Sequence, residues 1–137
     1  MTILGLDVGG KRIGVAVSTG TIAVPLTVIE SSGGDEDFSR VLALAAEYDA
    51  ERIVVGLPRS MDGSIGSQAE SVIDFSKALA QRTAIPIDTC DERLTTVTAE
   101  RLLRGGRAKR GKRKAKIDAM AAAVILQAYI DGMNTGG

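Results

Sequence analysis

The chain has 137 residues, 45% of them hydrophobic, no histidine and one cysteine, which allows one ordinary core and leaves little room for a second domain. Histidine general bases, Ser-His-Asp triads, histidine-bearing zinc sites, internal disulfides and thiolate metal clusters are therefore excluded, leaving chemistry to carboxylates, Lys, Ser or Thr, Tyr, Cys90 or a metal held by oxygen. A net charge of zero hides an asymmetry: Arg107, Lys109, Arg110, Lys112, Arg113, Lys114 and Lys116 fall together without an acid, so the rest of the chain carries ten bases against 17 acids.

In chain order, Ile3 to Ser18 reads as two apolar runs separated by Gly9-Gly10, a β-hairpin with a tight turn of residues that tolerate positive φ. Ile22 to Ile29 is a third strand, with Pro25 marking an edge or a bulge. Gly33-Gly34-Asp35 opens a helix with Asp35 as its N-cap, and Phe38, Val41, Leu42 and Ala45 form its apolar face. Arg52 to Leu57 is a buried parallel strand, Arg59 to Gly66 a loop, and Ala69, Val72, Ile73 and Leu79 mark a helix ending near Arg82. Ile85 to Cys90 is a strand weakened by Pro86, and a helix from about Thr96 to Arg104 is stopped by Gly105-Gly106. After the basic segment, Ile117 to Ile130 forms a helix apolar almost all round, hence buried, with alanines that let it lie close to a sheet. The expectation is one α/β domain over residues 1–131, a three-stranded antiparallel meander plus parallel strands flanked by helices, and a flexible tail over 132–137. No apolar run spans a membrane and no signal-peptide pattern begins the chain, so the expected location is the cytoplasm. Cys90 then reads as a small buried hydrophobe in a reducing compartment.

Three acids sit at the ends of apolar elements. Asp7 shares a strand face with Ile3 and Gly5, Glu92 follows an apolar strand, and Asp118 stands in the first turn of the buried helix. Each has a local account: a turn cap for Asp7, a salt bridge to Arg93 for Glu92, and a favourable helix dipole for Asp118. Together they suggest a shared site at the carboxyl ends of the strands, where mutual repulsion demands protons or cations. All-oxygen ligation suits Mg²⁺ or Mn²⁺, one or two ions, which support phosphodiester hydrolysis without histidine. The adjoining basic segment is either a solvated loop or a phosphate-binding loop for nucleic acid. With four aromatics, Phe38, Tyr48, Phe75 and Tyr129, a stacking platform for single-stranded bases is not expected.

Leu6-Asp7-Val8-Gly9-Gly10-Lys11-Arg12-Ile13-Gly14-Val15-Ala16, Val55-Gly56-Leu57-Pro58 with Met61-Asp62-Gly63, Asp91-Glu92-Arg93-Leu94-Thr95-Thr96 and Lys116-Ile117-Asp118-Ala119-Met120-Ala121-Ala122 resemble, in order and spacing, the motifs of the YqgF family. The resemblance implies an RNase H-like fold related to the Holliday junction resolvase RuvC and a bacterial, cytoplasmic, metal-dependent nuclease. It further implies a role in 5′-end maturation of the small-subunit (16S) rRNA precursor, with some members regarded as junction resolvases. Carried over by residue, it implies Asp7, Glu92 and Asp118 as the catalytic and metal-binding acids. Two departures stand out: Thr19 follows Ser18 where the family often has an acid, and Asp91 adjoins Glu92, so the choice between those two rests mainly on the resemblance. Lys11, Arg12, Arg107, Lys109, Arg110, Lys112, Arg113 and Lys114 are candidate substrate contacts, although solubility of the turn accounts equally well for the first two. The partner is structured RNA or branched DNA. A homodimer, which symmetric junction cleavage would need, is possible but has no indicated face. Two other readings remain: a phosphoryl-transfer enzyme, since Leu4 to Gly10 also resembles the first phosphate-binding turn of sugar kinases and actin-like ATPases, and a catalytically silent RNA-binding assembly factor.

Overall fold

A computed structural model describes residues 1–58, 66–91 and 110–135, and in the last helix the side chains of 118–133. In chain order the described elements are β1 (Ile3–Val8), β2 (Arg12–Ser18), β3 (Ala23–Glu30), α1 (Asp35–Glu47), β4 (Arg52–Leu57), α2 (Ser67–Ala80), β5 (Ile87–Asp91) and α3 (Arg110–Thr135). The strands form a sheet ordered β3-β2-β1-β4-β5. β1, β2 and β3 are antiparallel, whereas β4 and β5 run parallel to β1. This is the expected meander joined to parallel strands, with β1 central because its two short apolar faces are both covered.

Strand alternation sorts the core into two layers. Leu4, Leu6, Ile13, Val15, Ile53, Val55 and Leu57 pack against Val41 and Ala45 of α1 and Ala69, Val72 and Leu79 of α2. On the other face Ile3, Ala16, Val54 and Cys90 meet Ala122, Ala123, Ile125, Leu126 and Ile130 of α3. A Cβ on Gly5 would stand 2.8 Å from Leu126 Cβ, so the bare glycine lets α3 settle directly on β1. At the far end of this layer, Arg52 donates to the Tyr129 hydroxyl at 2.7 Å and that hydroxyl donates to Asp88 at 2.7 Å. Burial, reinforced by the Asp88 carboxylate, pushes the Tyr129 phenol above its ordinary range. Gln127 ties α3 to the chain entering β3, accepting from the Ala23 N–H and donating to the Thr21 carbonyl, both at 2.9 Å.

Pro25 behaves as expected: β3 is an edge strand, and its register with β2 slips between Val15 and Ala16. The hairpin turn differs. Neither Gly9 nor Gly10 adopts positive φ, and the turn is wider, closed by the Gly9 N–H donating to the Arg12 carbonyl at 2.9 Å. Gly9 is required by space instead, since a Cβ there would lie 2.9 Å from that same oxygen. The N-cap of α1 is Gly34 and not Asp35. Asp35 pairs with Arg82 at 2.9 Å, whose guanidinium lies 4.4 Å over the Phe38 ring, itself stacked on Phe75 at 4.9 Å. β5 begins at Ile87, beyond Pro86. α3 begins at Arg110 and continues to Thr135, so part of the expected basic loop and most of the expected tail are helical. The expected loop at 59–65 and helix from Thr96 to Arg104 lie outside the described residues.

The organising acid of α1 is Asp37, buried in its first turn. Its carboxylate accepts from the Ser31 and Ser32 hydroxyls and from the N–H groups of Ser32 and Gly33. Burial raises its pKa, but these donors together outweigh that and hold it below the ordinary carboxylate range. A folded pKa below the unfolded one means stability that is present above about pH 4 and lost as pH falls through the folded value. Asp37→Asn is thus expected to cost about 1–2 kcal/mol near neutral pH, with the gap to the native chain narrowing in acid, as read from urea melts between pH 7 and 3. Gly5→Val is expected to cost about 1–3 kcal/mol by overpacking at Leu126, read as a lowered Tm without pH dependence.

Candidate active site

Asp7 is the next-to-last residue of β1, on the face that carries α3. Its cross-strand partner on β2 is Gly14. On the other side, one step beyond the last registered pair Leu6–Val55, β4 presents Gly56. The half-buried carboxylate therefore rises between two strands that place no side chain beside it. Gly14 has a second role: a Cβ there would overlap the carbonyl oxygen of Asp118, so the α3 backbone rests on β2 at this point. The sequence pattern that packs α3 against the sheet thereby delivers Asp118 to the strand next to Asp7.

Asp118 faces Arg12, the first residue of β2. Arg12 Nε stands 2.7 Å from Asp118 Oδ2, with side-chain exposures of 39% and 28%. The distance is that of an ion pair, yet the angle is not that of a hydrogen bond, and both atoms are buried without an aligned partner. Arg12, expected as a substrate contact, is thus found on one of the acids, while Lys11 is exposed at the turn.

The third expected acid, Glu92, lies outside the described residues, as do Arg107 and Lys109. Strand parity nevertheless bears on its neighbour. Cys90 pairs with Gly56 and belongs to the α3 layer, whereas Asp91 pairs with Leu57 of the opposite layer. Asp91 consequently sits on the other face from Asp7. Arg110, Lys112, Arg113 and Lys114 occupy the first turns of α3, and positions 110, 114 and 118 recur along one row of the helix. Among the described residues no three acids or cysteines gather into a metal site. The described pair, Asp7 and Asp118, supplies hard oxygen donors, one of them a buried oxygen without an aligned hydrogen bond. That donor chemistry suits a small divalent cation and not a thiophilic one. Sequence reasoning missed Gly14 and the Arg12–Asp118 pair. A glycine inside an apolar strand signals close backbone approach, and that signal was present.

The RuvX family, described as Holliday junction resolvase, matches residues 1–132. A protein of Desulforamulus reducens named "Putative pre-16S rRNA nuclease" is 49% identical over 133 residues, covering 96% of this chain and 97% of that protein. A protein of Caldanaerobacter subterraneus with the same name is 48% identical over 134 residues, covering 96% of each. Among solved structures, Thermus thermophilus RuvC is similar with a TM-score of 0.62 and 16% identity, covering 99% of this chain and 97% of its own. The same organism's RuvC in complex with a Holliday junction substrate gives a TM-score of 0.64 at 18% identity, covering 98% of this chain and 97% of its own. Those structures support the RNase H-like fold. The near-complete match to the family and the identity to its curated relatives make the chain a member of the RuvX (YqgF) family.

Proposed function

We propose that the chain is a cytoplasmic, metal-dependent nuclease that hydrolyses phosphodiester bonds in 5′-end maturation of the small-subunit rRNA precursor. The observation that carries the reading is the placement of Asp7 and Asp118, from a central strand and from the helix laid across it, on one face at the carboxyl end of β1. Their donor set fits Mg²⁺ or Mn²⁺, and Glu92 is the third acid in the proposal. Such a cation supplies Lewis acidity and charge neutralisation for hydrolysis. Asp7 and Asp118 hold the site's negative charge on rigid elements, which fixes where a scissile phosphate must lie. The bases gathered from Arg107 to Lys116 raise the local concentration of a polyanion without reading its sequence. The choice of rRNA precursor follows the names of relatives at 48–49% identity.

A second reading, cleavage of branched DNA, is favoured by the family's description as Holliday junction resolvase. The two are separated by incubating the chain with a labelled RNA bearing the precursor 5′ extension and with a four-way DNA junction, each with Mg²⁺, Mn²⁺ or chelator. Cleavage of the RNA, dependent on metal, is the expected result. Preferential cutting of the junction would transfer the assignment to the second reading, and salt-dependent binding without cleavage of either would leave a binding factor.

Asp7→Asn and Asp118→Asn are each expected to reduce cleavage by more than the roughly 10–100-fold that losing an outer-shell partner of a metal costs. Their folded state, read by Tm and circular dichroism, should persist. Neutralising Lys112, Arg113 and Lys114 together should weaken binding and flatten its dependence on salt. The slope of log K against log[salt] should fall by about 2–3 if all three meet phosphates of a duplex. An unchanged slope would assign these bases to solvation alone.

A further inference from the structure

We propose that Arg12 is the internal counter-ion of the site: it holds Asp118 while no divalent cation is bound, and it releases Asp118 when one enters. The inference rests on the metal-dependent reading above and concerns how that site is regulated. Arg12 Nε and Asp118 Oδ2 are 2.7 Å apart, both buried, and neither atom has an aligned hydrogen bond. An oxygen committed to a structural salt bridge would be expected to accept along the N–H direction, in the planar fork typical of arginine and carboxylate. Here the guanidinium neutralises the carboxylate without being locked to it.

The geometry also provides for its departure. The Arg12 backbone is fixed at the rim of the sheet, since its carbonyl accepts from the Gly9 N–H at 2.9 Å, so movement is confined to the side chain. Directly across β2 and β3 the partner of Arg12 is Glu30, on the same face and exposed. Cross-strand neighbours stand about 5 Å apart at Cβ, within easy reach of an arginine. Glu30 is therefore a second acid within reach of the guanidinium on the outward side, while the contact made is with Asp118. A divalent cation on Asp118 and a guanidinium within about 4 Å of the same oxygen repel each other strongly. With a cation held by Asp118, Arg12 would turn outward, where its donors would be available to the non-bridging oxygens of a phosphodiester. Cation binding and phosphate recognition would then be linked through one side chain.

The test is Mn²⁺ binding to the full chain by titration calorimetry without nucleic acid, beside Tm in chelator. The variants are Arg12→Met, Arg12→Gln, Arg12→Lys, Asp118→Asn and, as a remote charge control, Lys77→Gln on the exposed side of α2. Removing the guanidinium should tighten Mn²⁺ binding by roughly three- to tenfold, from the upper part of the range of a fully exposed pair to beyond it, while lowering Tm in chelator and restoring it with Mn²⁺. Arg12→Lys should remain near the native affinity, and Lys77→Gln should leave it unchanged. Arg12→Gln serves the same purpose should Arg12→Met fail to fold. Unchanged or weaker Mn²⁺ binding in a folded Arg12→Met or Arg12→Gln chain, with Asp118→Asn still weakening it, would overturn the counter-ion role and leave the metal site standing. Mn²⁺ binding absent from the native chain, or indifferent to Asp118→Asn, would overturn both the metal site and the inference that rests on it.

Discussion

The backbone of α3 lies directly on β2 at Gly14, and the placement of both described acids depends on that contact. A side chain at Gly14 would meet the Asp118 carbonyl oxygen, and one at Gly5 would meet Leu126. Two positions without Cβ on adjacent strands thus cut a shallow channel across the sheet, and the small face of Ala119, Ala122 and Ala123 lies in the layer that covers it. Close packing is favourable here because both sides contribute little side-chain bulk and little rotamer entropy is lost. The same economy of side chains brings an acid on the helix to an acid on the strand. Packing and chemistry at this point are one constraint.

That constraint creates an electrostatic problem whose described answer is Arg12. Asp7 stands on a central strand with Gly14 as its cross-strand partner, and Asp118 enters from above. Carboxylates brought together in partial burial destabilise one another unless cations neutralise them. Arg12 occupies the β2 end nearest Asp118, and its pairing with Glu30 across β3 keeps further negative charge on the same rim. Stability and function pull differently at such a place. A locked arginine would quiet the charge and close the site, whereas one held by charge alone neutralises it and can yield.

The sequence made much of this legible, for reasons that differ by element. The meander, the parallel β4 and the buried α3 were readable because period-two and near-continuous apolar runs report burial directly. Asp7 and Asp118 stood out as charges in apolar company. The hairpin turn departs from its expected form because glycine signals either positive φ or tight space, and at Gly9 it is space. Asp35, the first acid after the glycines, is the expected cap. Asp37 holds the turn instead, since a carboxylate two residues further in can curl back to Ser31, Ser32 and Gly33, and composition does not distinguish the two. The basic segment reads as a loop in the sequence, yet from Arg110 the helix continues outward from a well-packed stretch, and propagation is easier than nucleation. The Arg12–Asp118 pair joins residues far apart in sequence, so no local pattern could have announced it.

The location of the acids also follows from where the sheet changes direction. β1 has an antiparallel neighbour on one side and a parallel one on the other, so at its carboxyl end the chain turns back immediately into β2, while β4 ends alongside it. The carboxyl ends of strands at such a change of direction are the usual place for ligands in sheets of this class. Asp7 is the last residue of β1 that still points into the α3 layer. Placed two residues earlier, at Gly5, an acid would be sealed under Leu126, and placed on the alternate parity it would enter the layer of α1 and α2. Strand parity imposes the same choice on β5, where Cys90 belongs to the α3 layer and Asp91 does not. Register alone therefore excludes Asp91 from the face of Asp7.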